Sequence, residues 1–233
     1  MSSSVVQPRI QMTGELSLSQ GVKMMVYGRA GVGKTTLAAT CPTPFIISGE
    51  SGLLSVRQYN LPYTTVRTMN DLDNISQWAL QSAEARRYQT LVVDSASEVA
   101  ETVLANEKVL AGKDPRKAYG NMAERMVSVL KSFRDLTSHH VLMIAKQERG
   151  KDEVTGGMMY RPSFPGQQLN EAVPYLYDLL FCLQTYQDPA TPGVVNRVLR
   201  TQPDNQYDAK DRSGKLAAYE PAHIGHILNK IYA

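Results

Sequence analysis

Eight residues, Gly28-Arg29-Ala30-Gly31-Val32-Gly33-Lys34-Thr35, limit what this chain can fold into more than any other feature. They match the pattern G-x-x-x-x-G-K-[ST]. An apolar run, Lys23–Tyr27, precedes them and reads as a strand; Thr35–Thr40 follows and reads as a helix. Strand, loop and helix in that order are the context in which this pattern cradles phosphates. Phosphate oxygens must come close to backbone N–H groups, so Gly31 and Gly33 carry no side chain. The start of the following helix adds the positive end of its dipole. Lys34 is expected to reach the β- and γ-phosphates, and the Thr35 hydroxyl to ligate Mg²⁺. Arg29, Ala30, Val32 and Thr36 complete the expected cradle. The ligand implied is ATP with Mg²⁺.

The rest of the chain alternates short apolar strands with helical stretches. Strands are predicted at Pro44–Ser48, Tyr63–Arg67, Thr90–Asp94, His140–Lys146, Tyr177–Gln184 and Val194–Arg200. Helices are predicted over Ser51–Asn60, from a cap at Asn70 to Tyr88, over Ser97–Leu110, through the stretch containing Met122, Met126, Leu130 and Phe133, and over Pro221–Tyr232. Ala111–Gly120 reads as a basic loop, Gln147–Gly166 as a long loop and Gln202–Lys215 as a charged one. This alternation predicts an α/β domain with a mostly parallel central sheet covered by helices on both faces. No helix is predicted between residue 176 and the last strands, so that pair is expected to extend the sheet antiparallel. Residues 1–20 read as a polar, flexible tail, with one edge strand at Glu15–Ser19, and 21–233 as the core.

Two carboxylates are placed to complete the site. Asp94 ends a fully apolar strand, which puts it at the carboxyl edge of the sheet beside the phosphate loop as a second Mg²⁺ handle. Glu50 closes the second strand in Ile-Ser-Gly-Glu-Ser-Gly and is the expected base that orients the attacking water; Glu98 competes for that role. The residue after Asp94 is Ser95, so the position directly after that aspartate carries no base.

In this order, a phosphate loop, a Glu after the second strand, a strand-end Asp and the polar Gln147 in Ile-Ala-Lys-Gln, the chain resembles the RecA-like ATPases. The resemblance spans roughly residues 21–215. It is strongest to the small core-only proteins of the phage nucleotide-binding AAA group, which are linked to single-strand annealing and recombination. It implies that Gln147 senses the γ-phosphate and signals to the following loop. It also implies that Lys210 and Arg212, in Lys-Asp-Arg, form a finger that reaches a neighbour's γ-phosphate. Head-to-tail self-assembly follows. Single-stranded DNA is the implied partner, held by Lys113, Arg116 and Lys117 in the first basic stretch and by Arg149, Lys151 and Arg161 in the second. Tyr119 and Tyr160 are candidates to stack on bases. A single-strand-binding protein is a further implied partner. A ring-forming DNA motor or helicase loader, and a nucleotide-dependent switch acting on a protein, fit the same core. A small-molecule kinase fits less well, because no Arg-rich lid is seen.

Composition removes other classes. The chain has 233 residues, 42% hydrophobic, with net charge +3, enough apolar material for one core. No apolar run approaches the ~20 residues of a membrane span. The Ser-rich start lacks the charged and apolar regions of a secretory leader. Cys41 and Cys182 read as buried free thiols. A cytoplasmic protein is expected, in a bacterial host if the phage resemblance holds. The four histidines show no metal-ligand spacing.

Overall fold

The computed structural model describes residues 20–50, 52–151, 156–191 and 193–233, and Met12. The expected strand at Glu15–Ser19 therefore lies outside the described residues, as does most of the 1–20 tail. The strands are β1 (Lys23–Tyr27), β2 (Pro44–Ser48), β3 (Tyr63–Thr65), β4 (Thr90–Asp94), β5 (His140–Lys151), β6 (Met158–Ser163), β7 (Leu179–Gln187), β8 (Val195–Arg200), β9 (Lys210–Asp211) and β10 (Tyr219–Pro221). The helices are α1 (Met69–Gln81), α2 (Ala96–Ala111), α3 (Pro115–Arg134), α4 (Gln167–Leu176) and α5 (Ile224–Tyr232), with 3₁₀ segments at Thr35–Thr40, Leu53–Tyr59 and Ala85–Arg87.

The sheet runs β10-β8-β7-β1-β5-β4-β2-β3, with β6 paired to β5 and β9 to β7. From β7 to β3 every pair is parallel. β8, β9 and β10 add the antiparallel part on the C-terminal side. The α/β class and the mostly parallel sheet are as the sequence predicts.

The central strands are buried on both faces, so successive side chains enter different cores. Met25 and Tyr27 of β1, Leu91 and Val93 of β4, and Val141 and Met143 of β5 pack into one core with α1, α2, α3 and α4. Met24 and Val26, Val92, and Leu142 and Ile144 pack into the other, against α5 and the 3₁₀ segment after the phosphate loop. The helical cover is therefore lopsided, with long helices on one face and short ones on the other.

Several expectations need correction. The Ala111–Gly120 stretch is not one loop. Asp114 accepts the Lys117 N–H at 3.1 Å and Pro115 occupies the first turn, so α3 starts inside it. Gln147–Gly166 is not a loop either. β5 continues to Lys151 and returns as β6, pairing Gln147 with Pro162 and Lys151 with Met158. Residues 147–151 of β5 are polar or glycine, so no apolar alternation marks this continuation, while on β6 Pro162 is buried and Tyr160 packs against the core. Gly166 leads into helix α4, where no helix is predicted. Leu169, Val173 and Leu176 are its buried i, i+4, i+7 stripe, and this packing outweighs the hydrogen bond lost at Pro174. β7 is parallel to β1, since α4 carries the chain back across the sheet. α1 is capped by Thr68 in a reciprocal box with Asp71, not by Asn70, and ends at Gln81, short of Tyr88. Pro221 ends β10, and His223 caps α5.

Candidate nucleotide site

β1 ends at Tyr27 and delivers the chain into the loop at Gly28. Gly31 and Gly33 have φ of +76° and +101°, torsions that side chains disfavour. A Cβ at Gly28 would stand 2.8 Å from the Leu183 carbonyl of β7, so this glycine also lets loop and strand touch. Thr36 donates to the Gly33 carbonyl at 2.6 Å. The Lys34 ammonium donates to the carbonyls of Gly28 at 2.7 Å and Arg29 at 2.9 Å, which folds its side chain over the loop. Burial lowers its pKa, against the opposing pull of Asp94 and Glu50.

Four strand ends converge on this loop. Register pairs Ser48 of β2 with Asp94 of β4, Asp94 with Ile144 of β5, and Ala145 with Tyr27 of β1. Glu50, Asp94, Lys146 and Gln147 therefore leave the sheet at one edge. With Lys34 and Thr35 they line one cavity of roughly 490 Å³. β5 lies between the phosphate strand and the Asp94 strand, so Gln147 enters from the middle of the site.

Asp94 is 6% exposed. Burial raises its pKa most; the Thr35 hydroxyl hydrogen-bonds to it and, with Lys34, pulls the other way, while Glu50 adds to the rise. One hydroxyl and one carboxylate, both hard oxygen donors, suit Mg²⁺, which takes one or two carboxylates and keeps waters and phosphates as its other ligands. Among the described residues no group of three or more His, Cys, Asp or Glu gathers into an all-protein metal site.

The two candidate bases sit differently. Glu50 lines the cavity and accepts from Ser95 Oγ at 2.8 Å. The Glu98 carboxylate is ion-paired to Lys146, and its backbone N–H caps α2 on Ser95. Gln147 lines the cavity and receives a long contact from the buried Cys182 thiol at 3.9 Å. Cys41 and Cys182 are both buried and free.

The finger residues lie elsewhere. β9 pairs Lys210 with Leu180, three residues before the Leu183 that backs Gly28. Lys210 donates to the Pro174 carbonyl at 2.5 Å and Arg212 to that of Tyr175 at 3.4 Å, so in their own chain they cap the end of α4. They line a separate groove, with no residue shared with the phosphate cavity.

Of the basic candidates, Lys113 is exposed in the turn between α2 and α3, while Arg116 and Lys117 are exposed on the first turn of α3. Arg149 and Lys151 are exposed on the β5 extension. Arg161 faces Glu148 across the hairpin at 2.5 Å, so its charge is already paired. Tyr160 stacks on Tyr207 with centroids 4.8 Å apart, which occupies one of its faces. Tyr119 carries Lys108 over its ring at 5.5 Å. A Cβ on Gly166 would lie 3.3 Å from Tyr119, so the foot of the hairpin and the start of α3 are neighbours. Asp152 and Glu153, which follow Lys151, lie outside the described residues.

Two contacts carry no sequence signal. Ser95 turns Glu50 toward the cavity, and Arg197 of β8 donates through Nε to the Val32 carbonyl on the outer side of the loop at 2.8 Å. Neither belongs to a local motif; each needs the strand order to bring it there.

A family model described as AAA domain matches residues 20–213. The chain belongs to this AAA domain family. As a member of it, with its phosphate loop in place, it is a P-loop nucleotide-binding domain. Among solved structures it is similar to a KaiC-like protein from the hyperthermophilic archaeon Pyrococcus horikoshii, at 13% identity over 77% of each chain and a TM-score of 0.42. It is also similar to the flagellar accessory protein FlaH from Methanocaldococcus jannaschii, at 11% identity, covering 89% of this chain and 88% of that one, with a TM-score of 0.45. No curated protein matches it in sequence. No helix among the described residues of this AAA domain protein is long and apolar enough to cross a membrane.

Proposed function

We propose that the protein hydrolyses ATP and couples the state of the γ-phosphate to single-stranded DNA, promoting annealing or recombination of strands. One observation carries this reading: Gln147 lines the phosphate cavity, and Arg149 and Lys151 follow it on the same strand. A strand transmits a displacement along its length, so a side chain that feels the γ-phosphate shifts the basic hairpin beyond it. The resemblance to phage annealing proteins points to DNA as the polyanion.

In the hydrolytic step a water oxygen bonds to the γ-phosphorus as the bond to the β,γ-bridging oxygen breaks. The water proton passes to Glu50, which Ser95 aims at the cavity. Lys34 binds the β- and γ-phosphates and Gln147 the γ-phosphate; ADP leaves. Thr35 and Asp94 would hold Mg²⁺, which supplies positive charge to the phosphate oxygens. Lys210 and Arg212 act in a neighbour's site after head-to-tail assembly. Lys113, Arg116, Lys117, Arg149 and Lys151 hold the DNA backbone, with Arg161 bracing the hairpin.

The test is the ATPase rate with and without single-stranded DNA at two salt concentrations. Stimulation that weakens at the higher salt is expected, because cation–phosphate contacts release counterions. Loss of that stimulation in Arg149→Glu/Lys151→Glu assigns the hairpin. Hydrolysis indifferent to DNA, with no DNA retained at low salt, moves the reading to a switch with a protein partner.

A further inference from the structure

Lys146 has no role in the reading above, yet it lines the same cavity as Lys34, Glu50 and Gln147. Three contacts hold it there. Its backbone N–H donates to Ser97 Oγ at 2.9 Å, and Ser97 in turn donates to the Ser163 carbonyl at 2.6 Å. Its ammonium is ion-paired to the Glu98 carboxylate. Glu98 is itself fixed by its N–H on Ser95, the residue that also holds Glu50. The N-cap and first turn of α2 therefore position both the candidate base and a second cation.

Stability does not explain the pair. Both side chains are substantially solvated, and such ion pairs contribute ~0–1 kcal/mol. The Glu98 contact raises the Lys146 pKa, so the ammonium stays charged. Lys146 is close enough to Lys34 to lower that lysine's pKa, and Glu50 acts on Lys146 in the raising direction.

Resting on the hydrolase reading, the geometry points to Lys146 as a catalytic cation supplied in cis, which contacts the γ-phosphate oxygens as negative charge builds on them, with Glu98 as its positioning residue. Lys146 transfers no proton; it offsets charge while the bond to the bridging oxygen breaks. Glu98, weighed above as a possible base, instead aims the lysine. The site then holds a second cation besides Lys34 before any neighbour contributes Lys210 or Arg212.

The experiment compares the full chain with Lys146→Ala, Lys146→Arg and Glu98→Gln, measuring kcat for ATP and, separately, Kd for a fluorescent nucleoside triphosphate. Lys146→Ala should lower kcat on the order of 100-fold, the scale seen when one transition-state donor is removed. Its Kd should stay within about threefold of wild type, since a contact made only in the transition state adds nothing to binding. Lys146→Arg should recover part of kcat, and Glu98→Gln should lower kcat less than Lys146→Ala with Kd unchanged. A wild-type kcat in Lys146→Ala overturns the proposal and leaves the hydrolase reading standing. Equal losses in kcat and affinity also overturn it, by making Lys146 a ground-state anchor. A wild-type protein that binds the nucleotide without hydrolysing it sinks the hydrolase reading, and a catalytic Lys146 with it.

Discussion

Single residues carry costs that the fold accepts. Lys23 is 5% exposed, with its ammonium donating to the His139 carbonyl at 2.8 Å and also bonded to the Gly21 carbonyl. Burial lowers its pKa to about 8, with Asp178 and Asp135 pulling the other way. Between about 8 and the ordinary 10.5, the unfolded chain binds more protons at this lysine than the folded one. Stability at this position therefore rises with pH across that window and is lost as pH falls back through it. Urea denaturation of Lys23→Met at pH 8 and pH 10.5 should show less gain with pH than wild type; an equal gain would place the titration elsewhere. Gly33 faces two constraints. Its φ is +101°, and a Cβ there would lie 2.6 Å from Arg197 Nε. Gly33→Ala should weaken ATP binding at least tenfold by titration, and adding Arg197→Ala should restore only part, because the backbone torsion remains unfavourable. Full restoration would show that the clash alone mattered. The sequence marks Gly33 as a glycine needed for phosphate approach; Arg197 behind it becomes visible only in three dimensions.

At the level of elements, the strands were easier to read than the segments between them. A buried parallel strand such as β4, Thr-Leu-Val-Val-Asp, is an apolar run with a clear end, and its boundaries match the sequence reading. The β5–β6 hairpin and α4 leave weaker signatures in the sequence, for different reasons. Glu148, Arg149, Gly150 and Lys151 form a ladder with β6 yet carry no apolar side chain to mark a strand, since the inward residues of the ribbon, Tyr160 and Pro162, sit on β6. In α4 the Leu169, Val173 and Leu176 spacing fits a helix, but Pro174 inside it removes a backbone hydrogen bond and weakens the local signal. Caps slipped by one or two residues: Asp114-Pro115 was a legible start for α3, and Thr68 with Asp71 was a legible box for α1. In that box Thr68 Oγ1 accepts the Asp71 N–H at 3.2 Å, and the Asp71 carboxylate accepts the Thr68 N–H at 2.9 Å. Thr68→Ala should cost ~1 kcal/mol in urea denaturation with an unchanged m-value. A loss under a few tenths would mean that the packing of Leu72 and Ile75 holds the helix start unaided.

For the whole molecule, the proposed head-to-tail assembly would complete each nucleotide site between two chains. Lys210 and Arg212 cap α4 in their own chain, and their groove is separate from the phosphate cavity. A head-to-tail neighbour is what would bring them to a γ-phosphate. Mixing Lys34→Ala with Arg212→Ala protein should restore part of the ATPase rate, since one of the two orientations of a mixed interface pairs the intact loop of the Arg212→Ala subunit with the intact finger of the Lys34→Ala subunit. No recovery at any ratio, together with a lower Tm for Arg212→Ala, would leave helix capping as the role of that arginine. The sequence by itself determined the phosphate loop, the α/β class and the apolar strands, and offered Lys34, Thr35, Glu50 and Asp94 as candidates, because each is written in a contiguous pattern of residue types with a local physical cause; Gln147 came as a candidate only through the family resemblance. Tertiary structure alone decided that β5 lies between the Asp94 strand and the loop, that the N-cap and first turn of α2 hold Glu50 and Lys146, and that Arg197 braces the loop from β8. Those contacts join residues 45 to 165 positions apart, and the pairing of strands that creates them depends on how two cores fill on opposite faces of one sheet, which no local pattern encodes.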